Sequence, residues 1–454
     1  LSILLSLLVP AHTARSPDSG AIITPSGLSY RKSGPRTAHA IFLRQELMAP
    51  AGPDPFLSSS TPSSRNQINS IEIAELSLSL IPDTGLRLSL AVDLGITPTP
   101  STTEVTRLSI LAELHVEMNP EGNLELVSSA CKPAEEEMQG TEEMGRSTPR
   151  FSLLWHLGNG GKEETEAQAL LGGKICLEVS KFLYLPNEQL SSLTAPLPFT
   201  PSSQVQYLPL AAPMFSEQGV IISLQTTFKV AGMEIPLPVS PVPFSVPEPA
   251  SSSHYHFTLA FSEHFYTSLF FALEMAGAFN MTILGTAAVP RTNPLPRQMG
   301  SLFQDDLPVT LQVVFRSTPR VVLEEDKATL KLFLTVHVGA GSPAFQSFLS
   351  VNVDVSAGLL FSVAGTRMTI STAAIEDIEL SLAASDVGPV PAALLEELLL
   401  PTIREEVSAQ MNAVLSEGVF LPHASGFTYI DVNVMIHRDY VLVSCNLQLQ
   451  VRTG

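Results

Sequence analysis

The feature that most constrains this chain is a period-two alternation of apolar residues, sustained well beyond the length of a short strand. Leu86, Leu88, Leu90, Val92, Leu94 and Ile96 occupy six successive alternate positions. Neighbouring side chains of extended backbone point to opposite faces, so such a run makes one dry face and one wet one; a helix of period 3.6 cannot. The pattern returns at Leu108, Ile110, Ala112, Leu114 and Val116, and the segment Asn119-Pro-Glu-Gly-Asn123 then turns the chain into Leu124 and Leu126. It returns again at Val220, Ile222, Leu224, Thr226, Phe228 and Val230, at Leu330, Leu332, Leu334, Val336 and Val338, and at Leu349, Val351, Val353 and Val355. Long antiparallel strands with one buried face are predicted.

Helices are few. Ser262 is a candidate N-cap, with Phe265, Tyr266, Leu269, Phe270 and Leu273 on one stripe and Gly277 closing it. Pro391 can open a second helix with Leu394, Leu395, Leu398 and Leu399 inside, and Pro401 is expected to interrupt it. A continuation carries Ile403, Val407, Met411, Val414 and Leu415 before Gly418. In the first half, residues 164–184 read as helical through Ala169, Leu170, Ile175, Val179 and Phe182, and a shorter helix is expected at 39–48.

At 454 residues the chain exceeds what one hydrophobic core organises. Between its halves lies Ile235-Pro-Leu-Pro-Val-Ser-Pro-Val-Pro-Phe-Ser-Val-Pro-Glu-Pro249, whose proline density forbids helix and central strand and holds an extended connector. Each side repeats one recipe of long alternating strands plus one or two apolar helices. The expected organisation is a domain over 15–234, a linker over 235–250 and a second domain over 251–454. Residues 1–14 open with Leu1-Ser-Ile-Leu-Leu-Ser-Leu-Leu-Val9 and read as the remnant of a secretory signal, too short to cross a bilayer. A secreted, extracellular protein without a transmembrane segment follows.

Hydrophobic residues make up 44% of the chain and charged ones 15%, so much apolar surface must be hidden in a core, an interface or a ligand cavity. The net charge of −19 opposes nucleic acid as a partner, because phosphates demand a basic surface. Three cysteines in an oxidising compartment allow one disulfide and leave one over; Cys445 falls in the alternating run Val441, Val443, Cys445, Leu447, Leu449, as a buried thiol would. There is no G-x-S-x-G elbow, H-E-x-x-H or C-x-x-C, so no catalytic residue, metal site or cofactor is expected. Gly158-Asn-Gly-Gly-Lys162 mimics a phosphate loop only in part: His156 stands where its first glycine belongs and Glu163 where Ser or Thr belongs. His254 and His256 could share a strand face and a metal, but read better as polar positions at a strand start. Asn280-Met-Thr282 is an N-glycosylation sequon after a helix end.

Four segments of the chain resemble those of a known family. Ser19-Gly-Ala-Ile-Ile-Thr-Pro-Ser-Gly-Leu-Ser-Tyr30, Phe257-Thr-Leu-Ala-Phe-Ser-Glu-His-Phe265, Ala276-Gly-Ala-Phe-Asn-Met-Thr282 and Leu415-Ser-Glu-Gly-Val-Phe-Leu-Pro422 are similar to segments of the bactericidal/permeability-increasing protein family. That family also includes lipopolysaccharide-binding protein and plasma lipid-transfer proteins. The resemblance implies an α+β fold: two twisted antiparallel β-barrel domains with long helices, joined by a central sheet in a boomerang, each barrel holding phospholipid in an apolar pocket. It implies a disulfide between Cys131 and Cys176, and a non-enzymatic lipid binder with an antibacterial role in innate defence. The partners would be phospholipid or another lipid, and a bacterial surface lipid. In the second half, Phe265, Leu269, Phe270 and Leu273 would form one wall of a lipid tunnel and Leu394, Leu395 and Leu398 the other. The alternative is an interaction protein that keeps the fold without ligand. Two departures bear on this. The stretch from Asp83 to Glu125 is acidic overall with Arg87 and Arg107 as isolated positives, so charge-driven lipopolysaccharide binding is expected to be weak. The segment between Cys131 and Cys176 lacks a full-length amphipathic pattern, and no amphipathic helix follows Val451.

Overall fold

The computed structural model describes residues 16–30, 67–99, 102–133, 176, 183–236, 238, 242, 244–247, 254–285, 309–340, 345–423 and 426–449. The helices expected at 39–48 and over most of 164–184, and the apolar segment 1–14, lie outside them. In chain order the elements are β1 (Ser19–Ile23), α1 (Pro25–Tyr30), β2 (Gln67–Ile81), β3 (Gly85–Thr99), β4 (Thr102–Met118), β5 (Leu124–Pro133), α2 (Tyr184–Ser192), β6 (Leu197–Thr200), β7 (Ser203–Pro209), β8 (Met214–Ser216), β9 (Gly219–Val230) and β10 (Met233–Glu234). They continue with β11 (Phe257–Ser262), α3 (Glu263–Met275), β12 (Met281–Gly285), β13 (Val309–Glu324), β14 (Lys327–Ala340), β15 (Gln346–Ala364) and β16 (Arg367–Ser385). The last are α4 (Ala392–Thr402), a π-helical turn (Ile403–Val407), α5 (Ser408–Leu415), β17 (Val419–Phe420), β18 (Phe427–His437) and β19 (Tyr440–Leu449).

By compactness the chain forms two units, one of Thr24–Ser191 with Ala212–Val220, the other of Leu1–Ile23, Ser192–Ala211 and Ile221–Gly454. The first contains the antiparallel sheet β2-β3-β4-β5. Its register sets Leu86 opposite Leu114, Leu88 opposite Ala112 and Leu90 opposite Ile110, so the alternating runs meet on one face. Leu86, Leu90, Val92, Ile110, Ala112 and Leu114 are all buried there. At the β5 edge Asn187 imitates a strand: its Oδ1 accepts from Leu126 N–H at 2.7 Å and its Nδ2 donates to Leu126 O at 3.1 Å. The disulfide expected from the resemblance is present between Cys131 and Cys176, with Cα atoms 5.7 Å apart.

The second unit holds two sheets. One runs β12-β13-β14-β15-β16-β17; the other follows the order β18-β19-β11-β1-β9-β7-β6. In the former, Leu332 faces Val355, Leu334 Val353, Val336 Val351 and Val338 Leu349, the pairing that the matched alternations require. Register shifts interrupt β13 at Ser317/Arg320, where Pro319 could not donate to the ladder, and β15–β16 at Ser356/Ala357. Such bulges increase local twist, which lets strands of up to 19 residues curl instead of lying flat. The described part of the proline-rich segment belongs to this unit: Phe244 and Val246 pack on Ile22, Ile221, Ala260 and Leu442. Gly20 makes the room, since a Cβ there would run into the Val246 side chain and sit 2.8 Å from Ile222 O.

Cys445 is buried and free, opposite Phe257 in the β11–β19 ladder, and burial pushes its thiol up to about 12. A chromogenic disulfide reagent at pH 8 should therefore label no thiol in the native protein, one after denaturation and three after denaturation with reduction. A labelled native thiol would contradict the burial.

Candidate functional site

The site is built around α3. Ser262, with extended φ −73° and ψ 163°, caps it by accepting from Phe265 N–H at 3.3 Å. Two side chains lash the helix to β13: Glu263 accepts from Leu323 N–H at 2.9 Å and Thr267 from Val321 N–H at 3.1 Å. At its end Gly277 takes φ +72°, donating to Glu274 O while Ala278 N–H reaches Leu273 O, a Schellman closure that needs a residue without a Cβ penalty. The sequence reading of this helix is thus borne out at both ends. His264 through Phe270 are all buried, as are Ala272 and Leu273, so α3 is a core helix.

Among the residues expected to hold lipid, the structure separates two groups. Phe265 is the hub of an aromatic cluster, with ring centroids 4.7 Å from Phe261, 5.0 Å from Tyr266, 6.1 Å from Phe228 and 6.4 Å from Tyr207. Phe270 stacks on Phe279 at 6.2 Å, which in turn meets Phe315. Leu269 and Leu273 instead line an apolar cavity of about 20 Å³. Val414 and Leu415 of α5, Gly418 and Val419 after it, Phe199 of β6 and Ile370 of β16 complete the wall. That volume admits a water molecule or two and no acyl chain as it stands. On α4, Leu395 is buried and Leu394 half-buried, and neither is on the cavity wall; the Leu398 side chain is outside the described residues.

Pro401 requires a correction. It does not interrupt the helix: α4 passes through it and continues by the π-helical turn into α5. Leu395, Leu399, Ile403, Val407, Met411 and Leu415, each 4% exposed or less, form one buried stripe with a strict spacing of four. An α-helix of 3.6 residues per turn carries such a stripe about 40° off line at every step. The wider π turn brings it back toward the sheet, and it lies where Pro401, lacking an N–H, has already cost the helix a bond.

Polar chemistry near the site is sparse and inward. Asp18, 2% exposed, accepts at Oδ1 from Thr226 N–H and Oγ1, both at 2.9 Å, and from Ser19 Oγ at 3.1 Å. Its Oδ2 lies 3.9 Å from His264 Nδ1, beyond hydrogen-bond reach. Desolvation outweighs the accepted bonds and raises its carboxyl to about 7. Burial also drives Tyr207 and Tyr266 well above the usual phenol range. Tyr207 donates to Phe420 O at 2.7 Å and Tyr266 to Met368 Sδ at 3.5 Å. Among the described residues no group of three His, Cys, Asp or Glu could hold a metal. His256 accepts from Leu447 N–H at 3.2 Å, a structural role. Asn280 is exposed, as a glycan acceptor must be.

Phe199, Ile370 and Val419 were missed from sequence. Each lies in a strand where it obeys the ordinary alternation, and only tertiary packing singles it out. Val414 and Leu415 were visible on the helical stripe.

A family model described as LBP / BPI / CETP family, C-terminal domain, matches residues 202–449. The chain is 53% identical over 448 residues to Protein TENP of Gallus gallus, covering 98% of each chain. It is 25% identical over 475 residues to BPI fold-containing family B member 2 of Homo sapiens, covering 99% of this chain and 98% of that one. A crystal structure of lipopolysaccharide binding protein superposes with a TM-score of 0.55 at 17% identity over 96% of this chain and 100% of the other, a likeness of fold.

Proposed function

Because the chain belongs to the LBP/BPI/CETP family, we propose that it is a secreted, non-catalytic lipid-binding protein with an antibacterial role in host defence. The observation that carries the reading is the cavity lined by apolar side chains between α3, α5 and β16, bounded by Leu269 and Leu273. The ligand is a phospholipid or other lipid whose acyl chains widen that cavity toward α4, along Leu394, Leu395 and Leu398. Each buried methylene contributes on the order of 0.8 kcal/mol, so binding needs no charged anchor. The domains are proposed at 15–234 and 251–454, with Asn280 as the glycosylated residue. With a net charge of −19, affinity for a bacterial surface lipid rests on its acyl chains rather than its phosphates.

A second reading, an interaction protein of the same fold without ligand, is favoured by the small cavity volume. Leu269→Trp separates the two. In a lipid-holding protein the indole displaces ligand, seen as loss of lipid by native mass spectrometry and organic extraction, with little change in melting. In a filled core it costs about 1–3 kcal/mol by overpacking and releases nothing.

A further inference from the structure

A cavity this small needs adjoining space before any chain can occupy it, and the helices that line it or continue from its wall are unequally held. The α3 wall is capped at both ends, bonded to β13 and buried along its length. The α5 wall is pinned as well: Asn412 Oδ1 accepts from Thr372 N–H at 2.7 Å and Thr372 Oγ1 at 3.0 Å. Beyond it, Arg367 lies 4.0 Å over the Phe420 ring and donates to Glu417 O at 2.6 Å. α4 differs from both. Its N-cap position is Pro391, which supplies no side-chain cap. Among the described residues its side chains make no hydrogen bond to the sheet, and its burial rests on Leu395 and Leu399. Between the free half and the pinned half stand Pro401 and the π-helical turn.

We infer that α4 is a lid that swings on the Ile403–Val407 turn while α5 stays on β16. Opening peels Leu395 and Leu399 off the sheet as far as the hinge, leaves Met411 and Leu415 in place, and clears the strip of sheet beneath α4 into which a ligand held at the cavity would extend. π-helical turns and proline sites concentrate at such hinges because the α-helical bonds there are already compromised. The purpose of the lid rests on the lipid-binding reading; its motion does not.

Two variants of the full chain push the lid in opposite directions. Pro401→Ala restores the missing N–H and stiffens the hinge; Leu399→Ala removes half of what holds the lid down. Amide hydrogen exchange, followed by mass spectrometry without ligand, should show α4 opening at least tenfold more often than α5 or α3. Leu399→Ala should raise α4 exchange about tenfold or more and Pro401→Ala should lower it, with α3 unchanged. Stopped-flow uptake of cis-parinaric acid should follow the same order, fast for Leu399→Ala and slow for Pro401→Ala. Equal exchange of α4 and α5 overturns the lid whatever the protein binds. Uneven exchange with no uptake by any variant upholds the lid and overturns lipid binding. Uptake at one rate in all three proteins shows that ligand enters elsewhere and overturns the lid as a gate.

Discussion

Replacing Asp18 with asparagine will flatten the stability of this protein between pH 5 and pH 8, where the wild type loses about 3 kcal/mol through this one group. The carboxyl ionises near 3.8 in an unfolded chain and at about 7 in the native one, because burial penalises its charge more than Thr226 and Ser19 relieve it. Between those values the native state holds a proton that the unfolded state has released. The stabilisation is therefore complete below about pH 4 and drains away as pH rises through 7. The other titratable groups near Asp18 are His264, with Nδ1 3.9 Å from Oδ2, and Tyr207, whose phenol is raised partly by Asp18 itself. Neither is positioned to neutralise the carboxylate by a hydrogen bond. Asparagine keeps the Oδ1 acceptor for Thr226 and carries no charge at any pH. Urea unfolding followed by circular dichroism should thus show the variant more stable than wild type at pH 8 and no more stable at pH 5. Parallel pH profiles for the two proteins would place the titrating group elsewhere.

The strands were legible because burial of one face writes itself into alternate positions. The runs around Leu90, Ile110, Val336 and Val351 predicted β3, β4, β14 and β15, while their pairing came only from the structure. The α3 helix was legible from its two ends, since Ser262 and Gly277 do local backbone work that few other residues can do. Asp18 was not. It sits in Ser16-Pro-Asp18-Ser-Gly20, a sequence that reads as an exposed turn, and only the arrival of Thr226 and α3 encloses it. Pro401 misled for a related reason: a proline breaks an isolated helix, but six buried residues spaced by four hold this one to its sheet and convert the break into a wide turn. The lipid wall shows the same limit. Phe265 and Leu269 share one apolar stripe, and periodicity cannot tell which of them meets a cavity and which meets other rings.

That distinction sets the largest single-site effect expected in the molecule. Phe265→Ala should cost about 3–5 kcal/mol, because it empties a site in which the residue is 0% exposed and touches four aromatic rings. The neighbours cannot collapse into the void. Tyr207 is held by its bond to Phe420 O, Tyr266 by Met368 Sδ, and Phe261 and Phe228 belong to sheet strands. Lost ring–ring contacts, worth about 0.5–1.5 kcal/mol per pair beyond area, add to the cavity cost. Phe265→Leu fills most of the volume and should recover more than half of the loss. Leu273→Ala, at the rim of space that is already empty, should cost no more than about 2–3 kcal/mol. Differential scanning calorimetry of the three variants orders them directly: Phe265→Ala lowest, then Leu273→Ala and Phe265→Leu close together. If Phe265→Ala melted within a degree or two of wild type, the ring would have to face ligand space rather than packed aromatic neighbours, and the lipid wall would extend the full length of the α3 stripe.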